Sequence, residues 1–230
     1  MSRVAHAKPA FIAQQFEDIE QQTHAATLGM WTFLSTEILF FGVLFVSYTV
    51  CRTRWPNAFR HGSRDLILWI GTVNTAVLLT SSLFMALAVR CAALGNRRGL
   101  IAFLALTLLF GVAFLGFKGL EYSIDVRELL VPNYNFSTLS PEDQQKPLVE
   151  RDYRPEQERL FMIFYFIMTG FHALHMLAGI GVLTVLLVMS WRGRFSAEYH
   201  NPIEIAGLYW HFVDIVWVFI LPALYLLRNG

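Results

Sequence analysis

The stretch FMIFYFIMTGFHALHMLAG, residues 161–179, is uninterrupted apolar sequence apart from a few polar residues, and its apolar character continues to about Ser190. A run of this length without a charged residue is typical of a helix that crosses a membrane. His172 and His175 lie in its middle, three residues apart, so both imidazoles are predicted on nearly the same helix face. Imidazoles are costly at membrane depth, and we expect this face to contact protein, water or a lipid headgroup. The same face carries further polar or small residues, namely Tyr165, Thr169 and Gly179.

The composition indicates a membrane protein with several spans. The 230 residues are 55% hydrophobic and only 15% charged, with a mean hydropathy of +0.47, whereas soluble domains carry about 25% charged residues. A formal net charge of +1 gives no reason to expect a nucleic-acid partner. Residues 1–27 are polar and of mixed sign, without the basic-then-apolar pattern of a cleaved signal peptide.

Five apolar segments are long enough to span a bilayer, which predicts an all-α polytopic membrane bundle with five transmembrane helices. We place these spans at about 28–50, 66–89, 100–122, 160–190 and 203–227, within a transmembrane domain of residues 28–228. Five spans put the two termini on opposite sides of the membrane. The basic residues are divided almost evenly between the two sides once the long loop is discounted, so the sequence leaves the orientation open.

The segments outside the spans are predicted to be irregular or to lie at the surface. Residues 1–27 form an N-terminal polar segment, and the helical spacing within 10–26 fits either a surface helix or a solvated tail. Residues 51–65 read as a short loop in which Pro56 breaks any helix. Residues 123–158 read as a long polar loop with four prolines.

The two cysteines, Cys51 and Cys91, follow consecutive predicted spans. The ends of consecutive spans lie about 30 Å apart, whereas a disulfide needs Cα atoms closer than about 7 Å. We therefore expect no disulfide between them and no shared metal site.

Glu37 is the most unusual residue of the first span, because a charged carboxylate in mid-bilayer is costly and the neutral form is favoured. A neutral acid there could donate a hydrogen bond to an imidazole or a carbonyl on another helix. It could also exchange protons, and both interpretations remain open.

The third and the last spans carry further candidate residues. Spacings of four and three put Thr107, Gly111, Phe114, Lys118 and Glu121 on one face. Lys118 lies near the span end, where it can snorkel and pair with Glu121. In the last span, three polar residues fall within an arc of about 80°, namely Glu204, His211 and Asp214. We expect close helix contacts at Asn74, Trp210, Gly170 and Gly179.

Three histidines on two helices, His172, His175 and His211, raise the possibility of a metal or haem site. A catalytic metal site also needs defined geometry, supporting hydrogen bonds and an open position. The sequence has no CxxxC, CxxCH or Met-rich motif to complete one. We expect hydrogen bonds to Glu37, to backbone or to a lipid phosphate instead.

Four stretches of the chain form a distinctive set, namely LGMWTFLSTEILFFG (28–42), NTAVLLTSS (74–82), FKGLEYS (117–123) with TGFHALHMLAG (169–179), and EIAGLYWHFVDIVWVF (204–219). Together they strongly resemble subunit III of haem-copper cytochrome c oxidases, over roughly residues 20–228. The resemblance implies a subunit without a redox centre that packs on subunit I, where the haems and the oxygen-site copper lie. It also implies bound phospholipid, support for proton uptake and turnover stability, and cytochrome c as the electron donor of the complex.

The resemblance also assigns residues and a location. The membrane glutamate of the family matches Glu37, its paired histidines match His172 and His175, and its second glutamate matches Glu121. Its final helix matches Trp210, His211 and Asp214. Full-length relatives have seven helices and this chain begins at the third, which is the five-helix form typical of bacterial oxidases. We therefore expect a bacterial inner membrane, a cytoplasmic N-terminus, subunit II within the same complex, and a long outer loop able to contact a supercomplex partner.

Other functions remain open at this stage. A quinol oxidase subunit III and a nitric-oxide-reductase-associated homologue are close alternatives. A stand-alone proton-coupled transporter using Glu37 and the histidines belongs to another class, but the chain has no internal repeat or pair of broken helices. A purely structural assembly factor is a third class.

Overall fold

The computed structural model describes residues 15–127 and 155–226, and these residues form six helices and no strand. Five helices are long and apolar enough to cross a membrane, namely α1 (Ile19–Arg54), α3 (Leu68–Ala93), α4 (Arg97–Arg127), α5 (Pro155–Trp191) and α6 (Asn201–Tyr225). A ten-residue helix, α2 (Pro56–Asp65), connects the first two of them. The prediction of an all-α bundle with five membrane spans is confirmed.

The helices extend beyond the predicted spans. Helix α1 begins at Ile19, where the Asp18 carboxylate caps it by accepting a hydrogen bond of 2.7 Å from the Gln21 N–H. Residues 19–26 therefore continue the first helix and form neither a separate surface helix nor a tail. Its 36 residues correspond to a length of about 54 Å at 1.5 Å per residue. The helix is therefore longer than the hydrocarbon core of a bilayer, which is about 30 Å thick. Most of the long loop predicted at 123–158 lies outside the described residues.

The prediction of a loop at 51–65 is wrong, because Pro56 begins helix α2 instead of preventing it. Proline suits the first helical position, where its missing N–H has no partner to lose. The apolar face of α2 packs on α5, with the Phe59 and Phe161 ring centroids 5.5 Å apart. A Cβ at Gly62 would lie 2.5 Å from the Phe161 ring, so glycine permits this close approach. His61 Nδ1 and Glu158 Oε1, 2.6 Å apart, add a hydrogen bond between the same two helices.

Four of the spans form a closed ring in the order α3, α4, α5, α6, each packed against two neighbours. Helix α1 lies outside this ring, against the seam between α5 and α6. The burial of the helices reflects their positions. Only three of the 36 residues of α1 are buried, whereas α6 buries eleven of its 25.

A tight turn and an arginine connect the ring helices at one end of the bundle. Gly95 has a φ of +68°, a left-handed conformation that glycine adopts without strain, and it reverses the chain between α3 and α4. Arg97, the first residue of α4, donates a hydrogen bond of 3.1 Å to the Ser190 carbonyl and another to the Trp191 carbonyl. It thereby satisfies carbonyls at the C-terminus of α5, which have no partner within their own helix.

Trp210 lies at the centre of the ring and contacts the other three ring helices. Its indole N–H donates to the Ser81 hydroxyl of α3 at 3.2 Å. Ideal Cβ atoms at Gly111 of α4 and Gly179 of α5 would lie 2.8 and 3.0 Å from its ring. The two glycines therefore make room for the indole between α4 and α5. Gly170, by contrast, has open space around it, with the Tyr122 hydroxyl 4.0 Å from an ideal Cβ as its nearest neighbour.

Replacing Gly179 with valine should destabilise the protein, because the new side chain would overlap the Trp210 ring. Overpacking of this kind costs about 1–3 kcal/mol. Gly181 on the same helix provides the matched control, since no atom lies within 4 Å of its ideal Cβ. Thermal unfolding in mild detergent should show a lower midpoint for Gly179→Val than for Gly181→Val. Equal midpoints would contradict the central packing of Trp210.

Candidate functional site

The first polar site joins α1 to the ring through Glu37 and His175. Glu37 Oε2 and His175 Nε2 are 2.9 Å apart, and the two side chains are 17% and 18% exposed. The other imidazole nitrogen, Nδ1, lies 2.8 Å from the Phe171 carbonyl oxygen of the preceding helical turn. The Phe41 ring packs edge-on against the imidazole at 5.4 Å. The structure therefore brings together the membrane glutamate and one of the two histidines.

The hydrogen-bond pattern assigns one shared proton to this pair. A carbonyl oxygen can only accept, so Nδ1 of His175 must carry a hydrogen. Nε2 then either accepts a hydrogen bond from a neutral Glu37 or donates one to its carboxylate. In both cases the pair as a whole is neutral, which suits a partly buried position in a membrane.

Two apolar grooves flank this pair along α1. One has a volume of about 620 Å³ and lies between the N-terminal part of α1 and α5 and α6. Its walls include Met30, Phe33, Val182, Leu186 and Tyr209. The other has a volume of about 510 Å³ and lies between the C-terminal part of α1 and α6, with walls that include Phe41, Phe45, Phe212 and Phe219. Both grooves are of a size and polarity suited to acyl chains.

The second polar site is a buried charge cluster centred on Lys118. Its ammonium donates to Glu121 Oε2 at 2.8 Å and to the Tyr165 and Tyr225 hydroxyls at 3.3 and 3.2 Å. The Tyr225 hydroxyl donates to the other Glu121 oxygen at 2.5 Å, and the Tyr165 hydroxyl donates to Asp125 Oδ2 at 3.0 Å. All three ammonium protons are therefore used, in a network that connects α4, α5 and α6.

Aromatic rings surround the same ammonium. It lies 5.0 Å from the Tyr165 ring centroid, 5.1 Å from that of Tyr122 and 5.3 Å from that of Trp217. Cation–π attraction is strongest where the cation is desolvated, and the Lys118 side chain is only 3% exposed. Lys118 pairs with Glu121 as the sequence suggested, but it does not snorkel to water.

His172 turns into the ring interior, away from His175. It is fully buried between the Phe114 and Trp217 rings, at centroid distances of 5.4 and 5.0 Å. Within the described residues neither of its nitrogens has a hydrogen-bond partner, and the same is true of both polar atoms of the buried Asn74 side chain. The two paired histidines therefore occupy different environments although they are three residues apart.

The polar residues of the last span do not come together. Glu204 Oε1 lies 3.1 Å from His200 Nε2, and His211 Nδ1 lies 2.7 Å from the Ser82 hydroxyl. Asp214 is buried, and within the described part of the chain neither carboxylate oxygen has a hydrogen-bond partner. Nowhere in that part do three or more His, Cys, Asp or Glu side chains lie close enough to hold a metal ion. Each of the three candidate histidines has separate neighbours.

Sequence reasoning missed Asp125 and Tyr225 as members of the Lys118 cluster. Asp125 follows Glu121 by four residues and Lys118 by seven, which extends the face already singled out in that span. Tyr225 continues the buried face of the last helix that includes Trp210, Asp214 and Trp217. Asp125 could have been found by following its periodic face one turn further, and Tyr225 by following its face about two turns further.

Breaking the Lys118–Glu121 pair on one side should destabilise the protein more than removing both partners. A charge left buried without its partner costs about 3–5 kcal/mol, whereas replacing both partners with apolar residues is much milder. Thermal unfolding of Lys118→Met, Glu121→Leu and the double variant completes a double-mutant cycle. We expect the double variant to be more stable than the sum of the single effects predicts. Additive losses would show that the pair contributes no coupling.

Comparison with known proteins gives consistent similarities over most of the chain. Residues 157–228 match the family model described as cytochrome c oxidase subunit III. A cytochrome c oxidase subunit 3 from Thermostichus vulcanus is 30% identical over 88% of this chain and 87% of its own length. A cytochrome bo(3) ubiquinol oxidase subunit 3 from Pseudomonas aeruginosa is 28% identical over 86% of this chain and 83% of its own length.

A longer vertebrate relative matches the same region. The cytochrome c oxidase subunit 3 of Gallus gallus is 29% identical over 86% of this chain but over 67% of its own length. Similarity of this extent to oxidase subunits 3, together with the five helices able to span a membrane, establishes the family of the protein. The chain belongs to the subunit III family of haem-copper oxidases, which includes subunits of cytochrome c oxidases and of quinol oxidases.

Proposed function

We propose that this chain is the lipid-binding, non-redox subunit III of a bacterial cytochrome c oxidase. It packs on subunit I in a complex that also contains subunit II, and the haems and copper belong to those partners. It binds phospholipid beside α1 and supports proton uptake and stability during turnover. Its location is the bacterial inner membrane, with the N-terminus in the cytoplasm, as the family resemblance implies.

The observation that carries this proposal is the loose attachment of α1. This helix has three buried residues out of 36, and two apolar grooves separate it from α5 and α6. Apolar side chains such as Leu28, Leu39 and Val43 are 65–70% exposed along it. A helix of this kind needs acyl chains in its grooves and another apolar surface on its outer side. Phospholipid and subunit I supply these two environments.

The proposed lack of a redox centre in this chain is supported by the separate surroundings of His172, His175 and His211 in the described part of the chain. His175 is hydrogen-bonded to Glu37, His211 to Ser82, and His172 is enclosed by aromatic rings. Their nitrogens do not converge on a common point, as the ligands of a metal must. Electron transfer and oxygen reduction are therefore assigned to the partner subunits.

The choice of cytochrome c as donor is supported by the relative from Thermostichus vulcanus, a cytochrome c oxidase subunit 3. The stretch FKGLEYS at 117–123 also resembles the cytochrome c group more closely. A quinol donor is the second candidate, because a similar relative from Pseudomonas aeruginosa is a ubiquinol oxidase subunit 3.

Purification of the tagged chain from its host in mild detergent tests the assignment. We expect haem and a copper-containing subunit to co-purify, and the complex to oxidise reduced cytochrome c. Oxidation of a quinol but not of cytochrome c would replace the donor and keep the family function. A colourless chain that purifies alone and conducts protons in vesicles would support a transporter instead.

Replacement of Glu37 separates hydrogen bonding from proton exchange. In Glu37→Gln, the amide N–H can still donate to Nε2 of a neutral His175, so we expect near-normal steady turnover. Glu37→Ala leaves that nitrogen without its partner, at a cost of about 1–3 kcal/mol. We expect faster loss of activity during turnover in Glu37→Ala, together with fewer retained phospholipids per complex.

The matched control is Thr36→Ala on the same helix. Thr36 is exposed, and its hydroxyl donates to the Phe33 carbonyl within α1, so its loss should leave turnover and lipid content unchanged. If Glu37→Gln slowed proton uptake as severely as Glu37→Ala in an intact complex, Glu37 would act by exchanging protons.

A further inference from the structure

The corner between α2 and α3 has a basic face that is separate from the grooves beside α1. Arg60 and Arg64 lie one turn apart on α2, and both are exposed. The opposite face of α2, with Ala58 and Phe59 buried, is docked on α5. The two guanidinium groups therefore point away from the bundle. A short helix with one apolar and one basic face is typical of a segment that lies in the membrane interface.

An apolar groove of about 680 Å³ begins directly beside these arginines. Arg64 lies in its wall, and the rest of the wall is formed by Leu66 and Ile67 and by the start of α3, including Trp69 and Val73. The Trp69 side chain is 70% exposed. An exposed indole on a membrane protein is usually found at the level of the lipid headgroups. The groove thus runs from a cationic rim to an apolar wall within two helical turns.

The buried acidic side chains at this end of the bundle are already paired with other groups. Glu158, the acid that faces α2 from α5, is hydrogen-bonded to His61 at 2.6 Å. Glu121 and Asp125 at the same end of the bundle are held within the Lys118 cluster. Two further exposed arginines, Arg52 and Arg54, end the neighbouring helix α1. The exposed arginines at this end therefore offer positive charge to an anionic partner from outside the described residues.

We propose that the α2–α3 corner binds an anionic phospholipid, with its phosphate at Arg60 and Arg64 and an acyl chain in the groove against Trp69. The apolar wall selects a lipid over a soluble anion. The two guanidinium groups select a headgroup without an ammonium, such as phosphatidylglycerol, over phosphatidylcholine. This site is independent of the proposed donor and of the grooves beside α1.

The test uses the purified, delipidated complex that contains this chain. Native mass spectrometry follows the binding of phosphatidylglycerol and, separately, of phosphatidylcholine. One arginine near a membrane surface contributes an attraction that corresponds to about fivefold in affinity. We expect Arg64→Gln to weaken one phosphatidylglycerol site about fivefold, and Arg60→Gln/Arg64→Gln to weaken it about 25-fold. Glycerol 3-phosphate, which has the phosphate without the chains, should not displace the lipid.

The matched control is Arg98→Gln, because Arg98 is also exposed but lies at the start of α4, outside the groove. All of these residues are at the surface, so the variants should unfold at the wild-type temperature. The proposal is overturned if the double variant binds phosphatidylglycerol as tightly as the control, or if phosphatidylcholine binds equally well. A structure of the complex with side chains of another subunit against Arg64 and Trp69 would also overturn it.

Discussion

The packing of Trp210 is the contact on which the four-helix ring depends. In a bilayer, apolar surfaces gain little by leaving lipid, so helices associate through close packing and hydrogen bonds. The Trp210 indole meets both requirements, because it fits against Gly111 and Gly179 and donates to Ser81. One side chain of α6 thereby sets the spacing of α3, α4 and α5.

The same constraint explains the Lys118 cluster. A lysine buried inside the bundle has no water to solvate it, so each of its three N–H groups must find an oxygen within the protein. Glu121, Tyr165 and Tyr225 provide these oxygens from three helices. Charge burial here is compatible with stability only while all partners remain in place. The cluster thus makes the relative positions of α4, α5 and α6 interdependent.

Much of this arrangement was predictable, because period and hydropathy are properties of each helix taken alone. The five spans follow from the length of the apolar segments, and the buried face of α4 through Lys118 and Glu121 follows from residue spacings of four and three. The different surroundings of His172 and His175 could not be predicted from the sequence. Their side chains point about 60° apart around the axis of α5, and this difference matters only because α1 lies on one side of α5 and the interior of the ring on the other. Helix α2 was missed because Pro56 stops a helix from within but can begin one, and its stability comes from contact with α5.

The four-helix ring and helix α1 have different mechanical roles. The ring is held by buried contacts that cannot be exchanged for lipid without loss, whereas α1 is held by few contacts and bordered by grooves. Glu37 and His175 join these parts through one hydrogen bond between groups that are still partly exposed. Acyl chains that fill the grooves therefore act on the same interface as this hydrogen bond. In the proposed function, acyl chains in the grooves and the Glu37–His175 hydrogen bond both contribute to how firmly α1 is held, beside the hydrogen bond from the Tyr48 hydroxyl to the Ala223 carbonyl of α6. This is the physical route by which a subunit without a redox centre could stabilise a working oxidase.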